Sequence, residues 1–145
     1  MSPEKSLLSV SRRHMATDFE LSVAVDPGRV RIGDSVLDSG HALIEKIEES
    51  LSEFRESALV YRLNRAPERE WSPMDESLSE MLEISRKYFE ESGGAFTPFS
   101  RSTYPADFSD LEIDRGGRRA RRLHPGLRIG FGAIGKGSAL DRVAS

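Results

Sequence analysis

The residues with the clearest chemical potential lie late in the sequence, in the run Gly130-Phe131-Gly132-Ala133-Ile134-Gly135-Lys136-Gly137. A strand-like segment, then glycines, a lysine and a helix bring backbone N–H groups and a positive helix end together, which is how proteins build anion sites. Gly130 to Lys136 also fits the G-x-x-x-x-G-K spacing of a P-loop. Gly137 follows, however, where that motif needs a serine or threonine for magnesium, and Ser138 comes one residue late. A reading without chemistry is that the glycines only let a helix pack closely on a strand.

Three other segments contain reactive side-chain types. Ser92-Gly93-Gly94-Ala95-Phe96 joins a helix-ending signal to an aromatic residue, and taken alone it means a cap and a core anchor. The basic run Arg115 to Arg122 could contact phosphates, but its glycines place it on a turn between strands, where a solvated surface is the simpler expectation. His14, His41 and His124 show no metal-ligand spacing, and His41, with acidic residues nearby on a helix, reads as a surface residue.

The elements that must position these residues follow from hydrophobic periodicity. Phe19, Leu21, Val23 and Val25 alternate with polar or small neighbours and predict a half-buried strand, paired with the segment before Ala16 and closed by Asp26-Pro27-Gly28. From Asp34, spacings of three and four through Leu37, Gly40, Ile44, Ile47, Leu51 and Phe54 predict an amphipathic helix capped by Asp34 or Ser35. Ser57 to Asn64 fits either a strand or a tight turn. Ser72-Pro73 reads as the cap and first residue of a second helix, whose stripe is Leu78, Met81, Leu82, Ser85, Tyr88 and Phe89. Leu111–Asp114 and Leu127–Phe131 read as strands about a turn at Gly116-Gly117. A final helix after Ser138 breaks off with Leu140 and Val143 poorly covered. The class expected is α+β, with helices on a mostly antiparallel sheet and one domain over 1–145.

Composition narrows the function classes. The chain has 145 residues, 31% charged and 37% hydrophobic, with a formal net charge of -3. That balance suits a globular domain and argues against a dedicated nucleic-acid binder. With no cysteine, disulfides, thiolate metal sites, cysteine nucleophiles and a lipid-modified cysteine are excluded together. No stretch has the length of a membrane helix or signal-peptide core, so a cytoplasmic location without membrane insertion is the expectation.

Taken in order, these segments resemble the ApbE-type FAD:protein FMN transferases. The resemblance rests on Met15-Ala16-Thr17 entering a strand and on Ser57 with Leu63-Asn64. It rests also on Ser92 to Phe96, and on Gly132-Ala133-Ile134-Gly135-Lys136-Gly137 followed by Asp141-Arg142. It implies the amino-terminal portion of an ApbE-like, T-fold-related domain, apparently truncated. It also implies FAD as substrate, magnesium, and transfer of FMN to a serine or threonine hydroxyl of a flavin-accepting target protein. Some relatives instead hydrolyse FAD.

By the same resemblance, Met15 and Phe54 border the flavin nucleotide, Asn64 offers it an amide, and Ala95, Phe96 and Thr97 line the pocket. Lys136 approaches the pyrophosphate, and the Ala133 carbonyl is a metal ligand. Two positions depart from the family pattern: Thr97 and Gly130 stand where aspartates are usual. The resemblance further implies that a carboxy-terminal half, on the same polypeptide or on a separate chain, supplies the remaining metal ligands. The chain alone is then incomplete or inactive. A non-enzymatic flavin- or nucleotide-binding module is the alternative, and a P-loop nucleotide binder a lesser one.

Overall fold

A computed structural model describes residues 4–14, 17–132 and 143–144. Strands β1 (Ser6–His14) and β2 (Thr17–Val25) form an antiparallel pair, with Ser6 opposite Val25 and His14 opposite Thr17. The alternation expected for β2 is present: Phe19 and Val25 are buried, Leu21 and Val23 half-buried, and the residues between them exposed. Helix α1 (Val30–Leu51) lies across this pair and buries Leu37, His41, Ile44, Ile47 and Leu51. Contact is close because Gly33 has no side chain, and a Cβ there would stand 2.6 Å from Leu8 Cδ1 and 2.8 Å from Val25 Cγ1.

Helix α1 begins four residues before Asp34, at Val30, after a turn closed by Arg29 N–H to Asp26 O at 2.9 Å. No side chain caps it. Asp34 therefore lies inside the helix, and the turn at Asp26 to Arg29 sets its start. The helix also stops at Leu51, which leaves Phe54 beyond it. Ser52 Oγ accepts from Phe54 N at 3.1 Å and from Arg55 N at 3.0 Å, so the chain turns where the apolar period still continues.

Ser57 to Asn64, open between strand and turn in sequence, contributes to a short helix α2 (Leu59–Arg65). Ser72-Pro73 is the two-residue strand β3 and does not begin a helix. Ser72 pairs with Ala120, and Met74 N donates to Arg118 O at 2.8 Å. The next helix, α3 (Glu76–Glu91), is capped by Asp75, whose carboxylate accepts from Leu78 N at 2.8 Å and from the Ser50 hydroxyl of α1. It ends as expected: Gly93 and Gly94 take φ of 62° and 85°, backbone that glycine adopts without a Cβ penalty.

Strands β4 (Leu111–Asp114) and β5 (Arg119–Arg122) flank the turn at Gly116-Gly117, and the second sheet has the order β3-β5-β4. The partner of β4 is thus Arg119–Arg122 and not Leu127–Phe131. Leu127, Ile129 and Phe131 are buried as a strand's alternation requires. Their backbone bonds go elsewhere: Arg128 N to Ser102 Oγ at 2.9 Å, Ile129 N to Asn64 Oδ1 at 2.8 Å, and Gly130 N to Pro98 O at 2.9 Å. Side chains and a loop replace the ladder. One core cluster joins Phe19, Ile44, Leu63, Leu78, Leu82, Ile129 and Phe131.

The fold class is therefore α+β with antiparallel pairing, divided between two small sheets. Val143 is half-buried and packs against the core, in contrast to the exposure expected of it; its neighbours include Gly40 of α1. Leu140 lies outside the described residues. No helix among the described residues is long and apolar enough to cross a membrane.

Candidate functional site

The segment 127–131 is the part of the chain that Asn64 holds directly. Asn64, on the last turn of α2, is buried to 3% exposure and pairs with Ile129 in both directions. Its Nδ2 donates to Ile129 O at 2.8 Å, and its Oδ1 accepts from Ile129 N at 2.8 Å. An asparagine amide is a peptide in miniature, so it can complete one strand-like bond pair where no strand is available. Its described polar contacts thus hold the backbone that leads into the glycine-rich run.

Next to it, Gly130 faces a carboxylate. A Cβ at Gly130 would collide with the Glu53 side chain, whose Oε1 accepts from Arg101 Nε at 3.0 Å. The Arg101 guanidinium also lies over the Phe54 ring, 5.1 Å from its centroid. Phe54 itself is 70% exposed, an aromatic face open to solvent beside an ion pair. Glu53 and Arg101 are the residues that sequence reasoning missed. The available signal was the glycine at 130, since a position lacking an expected carboxylate leaves room for one from elsewhere.

Thr97 and Pro98 approach from the loop after α3. Thr97 Oγ1 accepts from Phe99 N at 3.0 Å, and Pro98 O accepts from Gly130 N. Phe96 is half-buried, meets Tyr88 edge-on at 6.0 Å, and has its N–H bonded to Ser92 Oγ at 2.9 Å; Ala95 is exposed. The structure thus ties Asn64 directly to the segment that ends in Gly130, and the chain neighbours of Phe54 and Thr97, Glu53 and Pro98, meet Gly130, while Ala95 and Phe96 extend from the loop of Thr97. Met15, Ala133, Lys136, Asp141 and Arg142 lie outside the described residues.

Substituting Gly130 tests this arrangement. Gly130→Asp on its own is expected to displace Glu53 from Arg101 and lower stability by about 1–3 kcal/mol. Combined with Glu53→Ser, which vacates the space, it should recover most of that loss in urea denaturation. Equal losses in the single and double variants would mean that the two positions do not share the space.

The basic run is not a phosphate surface over its whole length. Arg119 and Arg121 both lie over Trp71, each 4.3 Å from its centroid, and pair with Asp114 and Glu112 of β4 at 2.9 Å. Arg122 points the other way, into the interior, with 5% exposure. Its guanidinium donates to the carbonyls of Leu63, Ala66, Pro125 and Leu127. Burial pushes its pKa down, and Arg128 adds to that. A strand's two-residue alternation accounts for the inward residue that a solvated-turn reading overlooks.

The histidines also differ from expectation. His41 is buried to 1% exposure on the sheet-facing side of α1, and its Nδ1 lies 3.0 Å from His14 Nε2. Glu45, one turn along α1, has an oxygen 3.4 Å from His14 Nδ1 and accepts from Arg55 at 2.8 Å. That Arg55 hydrogen bond holds the Glu45 carboxyl below the usual carboxylate range. His124 bonds its own turn through Gly126 N at 2.9 Å.

The fold occurs in a known class of α+β proteins. The ApbE protein of Thermotoga maritima superimposes with a TM-score of 0.78 at 18% identity, covering 95% of this chain and 51% of that one. The flavin transferase ApbE from Vibrio cholerae gives 0.77 at 18% identity, covering 97% and 52%. The apo flavinyl transferase ApbE of Pseudomonas stutzeri gives the same values. The sequence model of the ApbE family matches residues 15–105, and the chain belongs to that family. It spans about half the length of these solved relatives. No curated protein sequence matches it.

Proposed function

We propose that this chain provides the flavin-nucleotide-binding part of an FAD:protein FMN transferase. The observation that supports the reading is the two-way bond of Asn64 to Ile129 in the segment that enters the glycine-rich run, with Glu53 and Pro98, the neighbours of Phe54 and Thr97, against Gly130. In this role the exposed Phe54 ring borders the flavin, and Ala95, Phe96, Thr97 and Met15 complete the wall. Asn64 acts by fixing the backbone of Ile129 and offers the nucleotide what remains of its amide. Lys136 places a flexible ammonium near the pyrophosphate.

The chemistry proposed is attack of a serine or threonine hydroxyl of a target protein on the FMN phosphorus. The bond to the AMP phosphate breaks, AMP leaves, and the hydroxyl proton passes to a base. Positioning and neutralisation of charge carry most of such a reaction. Magnesium requires about six oxygen ligands. Around Gly130 the described residues offer the Glu53 carboxylate, already paired with Arg101, and this donor set does not by itself fit magnesium. No step is therefore assigned to a metal on these residues. Glu53 instead takes the place of the family's aspartate at Gly130, and the Ala133 carbonyl remains the proposed backbone ligand.

We infer that transfer needs the further length that the solved relatives have, whether on the same polypeptide or on a separate chain. Exposed Leu7, Ile32 and Val36 on β1 and α1 are apolar surface available for such a contact.

Flavin fluorescence titration tests the reading. FAD should bind saturably, ahead of ATP and GTP, and Asn64→Ala should weaken it at least about tenfold. A preference for ATP would support the P-loop alternative. Saturable FAD binding without AMP release, even with the remaining length restored, would support a binding module in place of a transferase.

A further inference from the structure

We propose that His14, Glu45 and Glu48 form a site for one divalent transition-metal ion of the zinc type, fastening the end of β1 to α1. Nothing in the flavin reading uses these residues, and the inference stands apart from it. The three side chains bring one ligand atom each to within 4.8 Å of one another.

The argument begins at a carbonyl. Val10 O can only accept, so His41 Nε2, 2.8 Å away, carries a hydrogen. With both rings neutral, His41 Nδ1 is then an acceptor, and His14 Nε2 at 3.0 Å must donate to it. That leaves His14 Nδ1 as a bare lone pair. The atom is buried, has no hydrogen-bond partner among the described residues, and points at Glu45 Oε2. A lone pair facing a carboxylate oxygen is repulsive unless a cation stands between them.

The separation suits a shared metal ion better than a shared proton. A proton on His14 Nδ1 would make a charge-assisted bond of about 2.7–2.9 Å, and the observed distance is 3.4 Å. Two ligands each about 2.1 Å from a tetrahedral zinc stand roughly 3.4 Å apart. One imidazole nitrogen and two carboxylates are an ordinary zinc donor set, with water in the fourth place.

The surroundings fit that role. A ligating histidine usually donates its other ring nitrogen to an acceptor that fixes its tautomer, as His14 does to His41. Arg55 holds the other Glu45 oxygen, Oε1, and lies 3.4 Å from Glu48 Oε2, so it orients both carboxylates while Glu45 Oε2 stays directed at His14.

The test uses the full chain after chelation and dialysis. Calorimetric titration with zinc chloride should show one equivalent bound and a raised melting temperature. Cobalt(II) should develop the visible bands of a tetrahedral site. Glu45→Gln and Glu48→Gln retain shape at half-buried positions on α1 and should each weaken zinc on the order of 10–100-fold. In ring-nitrogen NMR, zinc should move the His14 Nδ1 resonance and leave the Nε2 proton in place. Absence of saturable binding would overturn the proposal. So would zinc binding undiminished in both variants, or an Nδ1–H signal that persists with stoichiometric zinc, since the site would then hold a proton.

Discussion

Arg122→Leu is expected to lower the free energy of unfolding by about 3–5 kcal/mol, the larger of the two biggest effects anticipated for this chain. The guanidinium is buried, and no carboxylate is among its described hydrogen-bond partners. Its partners are four backbone carbonyls, from Leu63 and Ala66 at the end of α2 and from Pro125 and Leu127 beyond β5. Carbonyls at a helix end lack intrahelical donors, so one planar fork supplies what α2 and the following loop both require. Leucine fills only part of the space and leaves the Leu63 and Ala66 carbonyls dry, while the Pro125 and Leu127 carbonyls keep Arg128 as a donor at 2.8 Å. Arg122→Lys keeps the charge but cannot span four carbonyls, and a loss of about 2–3 kcal/mol is expected. Urea denaturation with an unchanged slope measures both. If Arg122→Leu lost under about 1 kcal/mol, the carbonyls would have found water, and the guanidinium would not be what joins these segments.

What could be read in the sequence, and what could not, divides along a physical line. Patterns carried by many residues were legible: the alternation of β2, the stripe of α1 from Leu37 to Leu51 and the glycine ending of α3 all appear as expected. Features decided by one distant partner were not. Pro73 is a good first helical residue, yet Ser72 is held by Ala120 and the cap falls to Asp75, which Ser50 of another helix steadies. His41 looked like a surface residue because acidic residues accompany it on α1, but the stripe position it occupies faces β1 and Val10. The candidate site follows the same rule. The ordered motifs singled out Asn64, whose bonds to Ile129 are the contacts of one side chain with a distant segment, whereas Glu53 and Arg101 emerge only once Gly130 is brought against α1's end.

Asn64→Ala is the variant in which stability and function should move together. It removes a donor and an acceptor from a buried position and leaves Ile129 N–H and C=O without those partners. Each unsatisfied group costs about 1–3 kcal/mol, so a total of about 2–4 kcal/mol is expected, allowing for relaxation. Asn64→Asp separates the two bonds. A carboxylate still accepts from Ile129 N–H, but its second oxygen opposes Ile129 O, so Asp should be no better than Ala at neutral pH and should improve in acid, where protonation restores a donor. Segment 127–131 has side-chain and loop bonds in place of a ladder, and its position depends on few contacts. Loss of the Asn64 pair should therefore loosen Ile129 and Gly130 in hydrogen exchange before it loosens α1 or α3. FAD affinity should fall with it. Affinity lost while Ile129 exchange stays slow would assign Asn64 to direct contact with the nucleotide. If exchange quickens and affinity holds, the glycine-rich run is not where the nucleotide binds.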